Sequence, residues 1–414
     1  MTFANEFTNK LPPMMTGQDL ICALEVLPHY DSDICYAENT SRLMALSDIY
    51  NIYIPSAMSV EIYSKLYLAL LRSLQKRERK LVIQQQIQNH RAVMGQEYSG
   101  IMGGADSFTI IGVSGIGKSA AISRAMSVIS ENVIIEMQDP YSQIIPFVTV
   151  QCPFDSSVKG MLLEILRKID EVLDTKYYQN ALRARATTDM LIGSVSQAAL
   201  HHVGMLVVDE IQNIVTNKNG KSLIGSLTQL INNTGISVCM VGTPESSRFF
   251  GLAMQLARRS VGLQYSTMSY DDHFKLFCKT ILGYQYLRKR IEVNDGILEW
   301  LYEHSSGVTS VVVALLHDAQ EIAILNNVEE LNFSALNEAY DKRLALLHGY
   351  IQPDITPLPQ TSKCRKVQQK MFLKNETVQN EGFRISDTVK NAKANGIDII
   401  QLLLTQITVE VIPI

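Results

Sequence analysis

Residues Gly112 to Ser119 read GVSGIGKS and follow a short apolar run, Phe108 to Ile111. The spacing is G-x-x-x-x-G-K-S, and its chemistry is narrow. Glycines at these positions let backbone N–H groups turn inward around phosphate oxygens. A helix expected over Ala120 to Ile129 points its positive N-terminal end at the same anion. Lys118 is spaced to reach the outer phosphates, and the Ser119 hydroxyl to ligate Mg²⁺. The candidate nucleotide-binding residues are therefore Gly112, Val113, Ser114, Gly115, Ile116, Gly117, Lys118, Ser119 and Ala120. The bland alternative is a glycine-rich turn without a ligand.

About 90 residues further on, Met205-Leu-Val-Val is followed by Asp209 and Glu210. A buried strand of this kind carries its acids at the C-terminal edge of a parallel sheet, where ligands of such sheets bind. Asp209 is the second candidate Mg²⁺ ligand, directly or through water. Glu210 is the candidate general base for an attacking water. Apolar strands ending in acids are common, so the pattern gains its meaning from the glycine loop upstream. The next apolar run ends at Gly242-Thr243-Pro-Glu245, and Thr243 is the candidate γ-phosphate sensor or else a plain strand-to-turn threonine. Leu256-Ala-Arg258-Arg259-Ser260 offers two arginines with no acidic neighbour. They are candidates for an arginine finger acting on the next subunit's nucleotide, or a plain surface pair.

The elements that must position these groups alternate. Beta-type runs at 133–137, 145–151, 205–208 and 237–241 are separated by helical stretches at 158–173, 181–200 and 223–231. That order predicts an α/β fold: a parallel five-stranded sheet flanked by helices. Residues 1–55, rich in Pro, Asn, Asp and Tyr, predict an N-terminal arm that packs on another element. From Ala57 a helical stripe begins, with Tyr63, Leu66, Tyr67, Leu70, Leu71 and Leu74 on one face. The core is expected over 56–265 and an all-α lid over 266–350. Residues 351–414 form a Pro-rich linker and a tail with five basic residues between Thr361 and Lys374.

Composition sets bounds on all this. The 414 residues suffice for two or three domains, and 46% hydrophobic with 19% charged is an ordinary globular balance. No apolar stretch nears the roughly 18 residues that span a bilayer. The N-terminus lacks the pattern of an export signal. The six cysteines are scattered without metal-ligand spacing. A cytoplasmic protein without membrane partners is expected. The net charge of −4 means that any nucleic-acid contact must come from a local basic surface.

The glycine loop, the Asp-Glu strand, the Thr243 strand, the paired arginines and the helical lid together resemble an AAA+ P-loop ATPase. GVSGIGKS, VVDEIQN (207–213), VGTPE (241–245) and LARRSVG (256–262) further resemble the TnsC/TniB/MuB group of transposition regulators. The segments at 49–77 and 96–112 are similar to the TnsC branch found in Tn-seven-like and CRISPR-associated transposons. The resemblance covers roughly residues 40–350. It implies ATP and Mg²⁺ as ligands and ATP hydrolysis as the reaction. It also implies a homo-oligomer, ring or helical filament, that binds duplex DNA without reading sequence. The partners implied are a target selector of TnsD/TniQ type, with or without a CRISPR effector, and a transposase of TnsA/TnsB type.

In similar proteins the DNA-contacting loops follow the strand after the P-loop helix. The corresponding region here is Gln151 to Gly160, where Lys159 is expected on phosphate with Ser156 or Ser157 assisting. A helix N-cap is the alternative reading, since Asp155 and Ser156 precede a helix. Arg183 and Arg185 are secondary DNA-binding candidates. The family pattern is broken at one place. Many AAA+ lids carry an arginine near the start of the penultimate helix, and Ser306 to Val311 contains none. That departure implies weak lid coupling and a slow switch. The competing readings are an AAA+ helicase loader or replication initiator, disfavoured for want of an appended helix-turn-helix, and a STAND-type signalling ATPase without DNA binding.

Overall fold

The computed structural model describes residues 8–348, apart from 77–78, 95, 98–106, 132–133, 137–142, 218 and 247–259. Among the described residues the chain runs α1 (Gly17–Leu24), α2 (Asn39–Leu46), α3 (Ala57–Gln75), α4 (Arg79–Val93), β1 (Ser107–Gly112) and α5 (Lys118–Ser130). It continues through β2 (Ile135–Glu136), β3 (Gln143–Gln151), α6 (Val158–Leu173), α7 (Tyr177–Arg183), α8 (Thr188–His202) and β4 (Val203–Asp209). Then come α9 (Asn213–Thr216), α10 (Gly220–Thr234), β5 (Ser237–Gly242) and β6 (Ser260–Tyr265). Four further helices follow: α11 (Asp272–Leu282), α12 (Asp295–Ser305), α13 (Thr309–Leu325) and α14 (Phe333–Glu338).

The described strands form one sheet in the order β2-β3-β4-β5-β1-β6. Every pairing is parallel except that of β2 with β3. This is an α/β fold, with the glycine loop following an interior strand, β1, that lies between β5 and β6. The sheet has five parallel strands, as expected, but their identity differs. The run at 133–137 yields only the two-residue antiparallel edge strand β2, and the fifth parallel strand is β6, which ends the stretch read from sequence only for its arginines. The helix expected over 181–200 is two helices, because Arg185 between them adopts a left-handed φ of +47°.

β1 and β5 are buried along their whole length, as strands covered on both faces must be. One face is filled by α6, α8 and α10, with Met161, Leu162, Ile165, Leu166 and Ile169 of α6 on a single helical stripe. The other face is filled by α3 and α5, joined by Leu20 and Leu24 of α1. The helices from α11 onward enclose a second core of their own. Leu46 and Ile49, from the N-terminal arm, belong to that lid core. Thus the arm touches the sheet domain at one end and the lid at the other. Arg42, fully buried, ion-pairs with Glu329 at 2.8 Å and donates to the Tyr286 carbonyl at 3.4 Å. Arg124 of α5 in turn donates to the carbonyls of Ala23 and Leu24 at 2.8 and 3.0 Å. No single described helix is long and apolar enough to cross a membrane.

Candidate nucleotide site

The loop between β1 and α5 is tight because Gly115 and Gly117 take φ of +82° and +91°, a region that side chains avoid. Gly117 is the N-cap of α5, so the helix opens directly onto the loop. Lys118 folds back over it, its ammonium donating to the carbonyls of Gly112 and Val113, each at 2.8 Å. Burial lowers the pKa of Lys118 below the ordinary lysine value, and the nearby charges of Asp209 and Glu210 oppose that shift. The loop residues Ser114 to Ala120 all line one cavity of about 700 Å³.

The β4 and β5 tips lie beside the loop and line the same cavity. Ser119 Oγ lies 3.1 Å from Asp209 Oδ2, which brings together the two candidate metal ligands. Both are hard oxygen donors suited to Mg²⁺, so the residues present fit that ion. The backbone N–H of Glu210 donates to Asp209 Oδ1 at 2.8 Å, and Glu210 itself sits at a left-handed φ of +56°. That conformation turns the chain sharply after β4 and sends the Glu210 side chain into the same cavity wall as Thr243. Thr243 Oγ1 is buried without a hydrogen-bond partner among the described residues. An orphaned hydroxyl beside a phosphate loop fits a ligand oxygen.

Sequence reading missed the remaining walls of this cavity. Tyr53, Ile54 and Met58 close it from the arm and the start of α3, while Phe277 and Val313 close it from the lid. These are apolar residues far apart in sequence, with no spacing signal. They form a surface suited to a flat heteroaromatic base. The lid stretch lacking an arginine is nonetheless in direct contact with the loop. Thr309 Oγ1 donates to the Gly115 carbonyl at 2.9 Å, and the Ser310 N–H donates to the same oxygen at 3.0 Å. The lid is therefore latched to the phosphate loop through hydroxyl and backbone groups.

The expected DNA loop follows β3. Lys159 is exposed in the first turn of α6, and Ser157 caps that helix, its Oγ accepting from the Gly160 N–H at 3.1 Å. Ser156 is fully buried, its hydroxyl donating to the Asn213 carbonyl at 2.9 Å. It thus builds the loop and offers no hydroxyl to a surface ligand, which corrects its reading as a DNA contact. Phe154 is 84% exposed at the tip. The loop is pinned to the segment after β4, since Asn213 and Asn217 donate to the carbonyls of Cys152 and Phe154. Arg183 and Arg185 are exposed at the end of α7 and in the turn after it. Arg258 and Arg259 lie outside the described residues, as does the tail from 351 onward.

The family model of the bacterial TniB protein matches residues 103–267. The matched region includes the phosphate loop, Asp209, Glu210, Thr243 and the paired arginines. No curated protein matches the chain. Among solved structures, the Aeropyrum pernix Orc1 protein in complex with DNA is similar at 13% identity and a TM-score of 0.42, over 77% of this chain and 83% of that one. The Drosophila origin recognition complex bound to DNA is similar at 13% identity and a TM-score of 0.43, over 96% and 83%. The Thermotoga maritima RuvB Holliday junction branch migration motor is similar at 12% identity and a TM-score of 0.33, over 78% and 84%.

Proposed function

We propose, from the premise that residues 103–267 belong to the TniB family, that this chain is an ATP-hydrolysing, DNA-binding regulator of transposition. The observation that carries the nucleotide part is the 3.1 Å approach of Ser119 Oγ to Asp209 Oδ2, beside a positive-φ glycine loop. In this reading the backbone N–H groups of 113–119 and the Lys118 ammonium hold the phosphates. Ser119 and Asp209 hold the metal. When bound there, Mg²⁺ would supply charge neutralisation to the phosphates. Glu210 accepts the proton of the attacking water, and Thr243 donates to the γ-phosphate. Tyr53, Ile54, Phe277 and Val313 cover the base. Arg258 and Arg259 reach the neighbouring subunit's nucleotide, so hydrolysis requires the oligomer.

Lys159, at the exposed N-terminus of α6, contacts the DNA backbone without reading bases, with the Ser157 cap beside it and Arg183 and Arg185 adding charge. The assembly is a homo-oligomeric ring or filament on duplex target DNA. It links a selector of TnsD/TniQ type to a transposase of TnsA/TnsB type, in the cytoplasm, and ATP hydrolysis resets it. The arm at 1–55 and the basic segment at 363–374 are the surfaces for those partners.

The test is duplex binding by purified protein with a non-hydrolysable ATP analogue. The expected result is nucleotide-dependent, sequence-independent binding that weakens steeply with salt. Absence of nucleotide-dependent binding at low salt would sink the reading and favour a signalling ATPase.

A further inference from the structure

His317, Asp318 and Glu321 occupy the middle of α13, beyond the end that touches the phosphate loop. Glu321 is four residues after His317 and three after Asp318, so one helical turn sets it against both. A ring nitrogen of His317 and one carboxylate oxygen each of Asp318 and Glu321 all lie within 4.8 Å of one another. The side chains of His317 and Asp318 are each 17% exposed, and that of Glu321 is 28% exposed.

The charges in this group do not balance. Two carboxylates share one patch. Among the described residues, the arginine or lysine paired with either is Arg343, whose Nη1 is 3.7 Å from Glu321 Oε2, beyond hydrogen-bond range. His317 Nδ1 is 2.9 Å from Asp318 Oδ1. A hydrogen bond accounts for that pair but leaves the Glu321 carboxylate uncompensated. A divalent ion accounts for all three groups. Imidazole nitrogen and carboxylate oxygen bind zinc at about 2.0–2.2 Å, and two such ligands at a right angle stand about 3 Å apart. The His317–Asp318 separation has that value. An imidazole in the set also favours a zinc-like ion over Mg²⁺ or Ca²⁺, which take oxygen.

We propose that His317, Asp318 and Glu321 form a Zn²⁺ site, with three ligands on one helix and the remaining positions open to water. It is separate from the Ser119–Asp209 pair and does not depend on the function proposed above. The imidazole is shared with the N-terminal arm, because the Tyr50 ring, from the turn Ser47–Asn51, packs on it with 4.6 Å between centroids. Tyr50 also lines the nucleotide cavity, as does Val313, one helical turn before His317. A bound ion fixes the ring on which Tyr50 rests and so strengthens the seam between arm and lid at the cavity wall. Arg343 competes for Glu321 and weakens the site.

The test is isothermal titration of the full-length chain with Zn²⁺ in excess Mg²⁺, which occupies sites built of oxygen alone. Wild type is compared with His317→Gln, Glu321→Gln and Arg343→Ala. Glu321→Gln keeps the shape of a half-buried side chain, and the zinc-free melting temperature of each variant reports its folding. Wild type is expected to bind one Zn²⁺ that His317→Gln and Glu321→Gln each bind at least about tenfold more weakly, since losing even a partner behind a ligand costs that much. Arg343→Ala is expected to bind it more tightly than wild type. Zn²⁺ should raise the melting temperature of wild type and Arg343→Ala and leave the other two unchanged. Zinc affinity and stoichiometry equal in wild type, His317→Gln and Glu321→Gln would overturn the site, as would a wild type that binds no Zn²⁺. Loss in His317→Gln alone would overturn it too, because a single histidine is not this site. Weaker binding in Arg343→Ala would show that the arginine, and not a metal, organises the carboxylates.

Discussion

Ser119 Oγ and Asp209 Oδ2 stand 3.1 Å apart although 90 residues separate them in the chain. One begins the helix after β1, and the other ends β4, two strands away in the sheet. If the pair holds Mg²⁺, Ser119→Ala and Asp209→Asn each raise the Mg²⁺ concentration for half-maximal hydrolysis by about tenfold or more, the scale of losing one oxygen ligand. Titration of turnover against Mg²⁺ at saturating ATP checks this. An unchanged midpoint in both variants would remove them from the metal site.

Lys118 and Glu210 are expected to fail differently. Lys118→Ala loses the one buried cation of the loop, so nucleotide binding and nucleotide-dependent assembly are both lost. Glu210→Gln keeps the shape but not the base, and turnover falls by about a hundredfold or more. ATP is retained, and assemblies on DNA persist. Fluorescent-nucleotide binding and sedimentation with DNA separate the two; loss of DNA binding in Glu210→Gln would refute its role as base. Mixing Glu210→Gln with Arg258→Ala protein tests the finger, because recovered hydrolysis requires an arginine acting across a subunit boundary.

The lid latch has its own signature. Thr309→Val removes the hydroxyl that donates to the Gly115 carbonyl at 2.9 Å, while the Ser310 N–H still reaches the same oxygen. A net loss of about 1 kcal/mol corresponds to roughly fivefold weaker nucleotide binding. Most of it is expected in faster dissociation, measured by stopped-flow release. A dissociation rate equal to wild type would show that the contact does not couple lid to loop.

The buried Arg42–Glu329 pair ties the arm to the lid. The Arg42 hydrogen bond holds the Glu329 carboxyl below its ordinary range. Its stabilising contribution is complete above the unfolded value of about 4.3 and disappears as pH falls through the lower folded value. Arg42→Met is expected to cost about 2–3 kcal/mol near neutral pH, less than the full cost of stranding a buried charge because Glu329 keeps some solvent access. The stability gap to wild type should narrow on acidification to about pH 3.5. Denaturant melts at the two pH values measure it, and a gap independent of pH would show that packing of Arg42, and not its charge, joins arm to lid.

The sequence alone determined the strand, glycine loop and helix that carry the candidate phosphate site, because strand, glycines, Lys118 and Ser119 are neighbours in the chain and their spacing is their geometry. It determined Asp209 and Glu210 for the same reason, since an apolar strand delivers its terminal acids to a sheet edge. The bounds of helix α6 were legible to the residue, although its cap is Ser157 and not the Asp155 or Ser156 expected. The tertiary structure decided what depends on distant segments. β6 is too short and mixed to declare itself, and it becomes a strand by pairing along β1. Ser156 looks like a surface serine until the loop folds it under Asn213. Tyr53 and Phe277 become opposite walls of one cavity only because the arm crosses from sheet domain to lid. Such contacts are fixed by packing between elements, and no periodicity within one element records them.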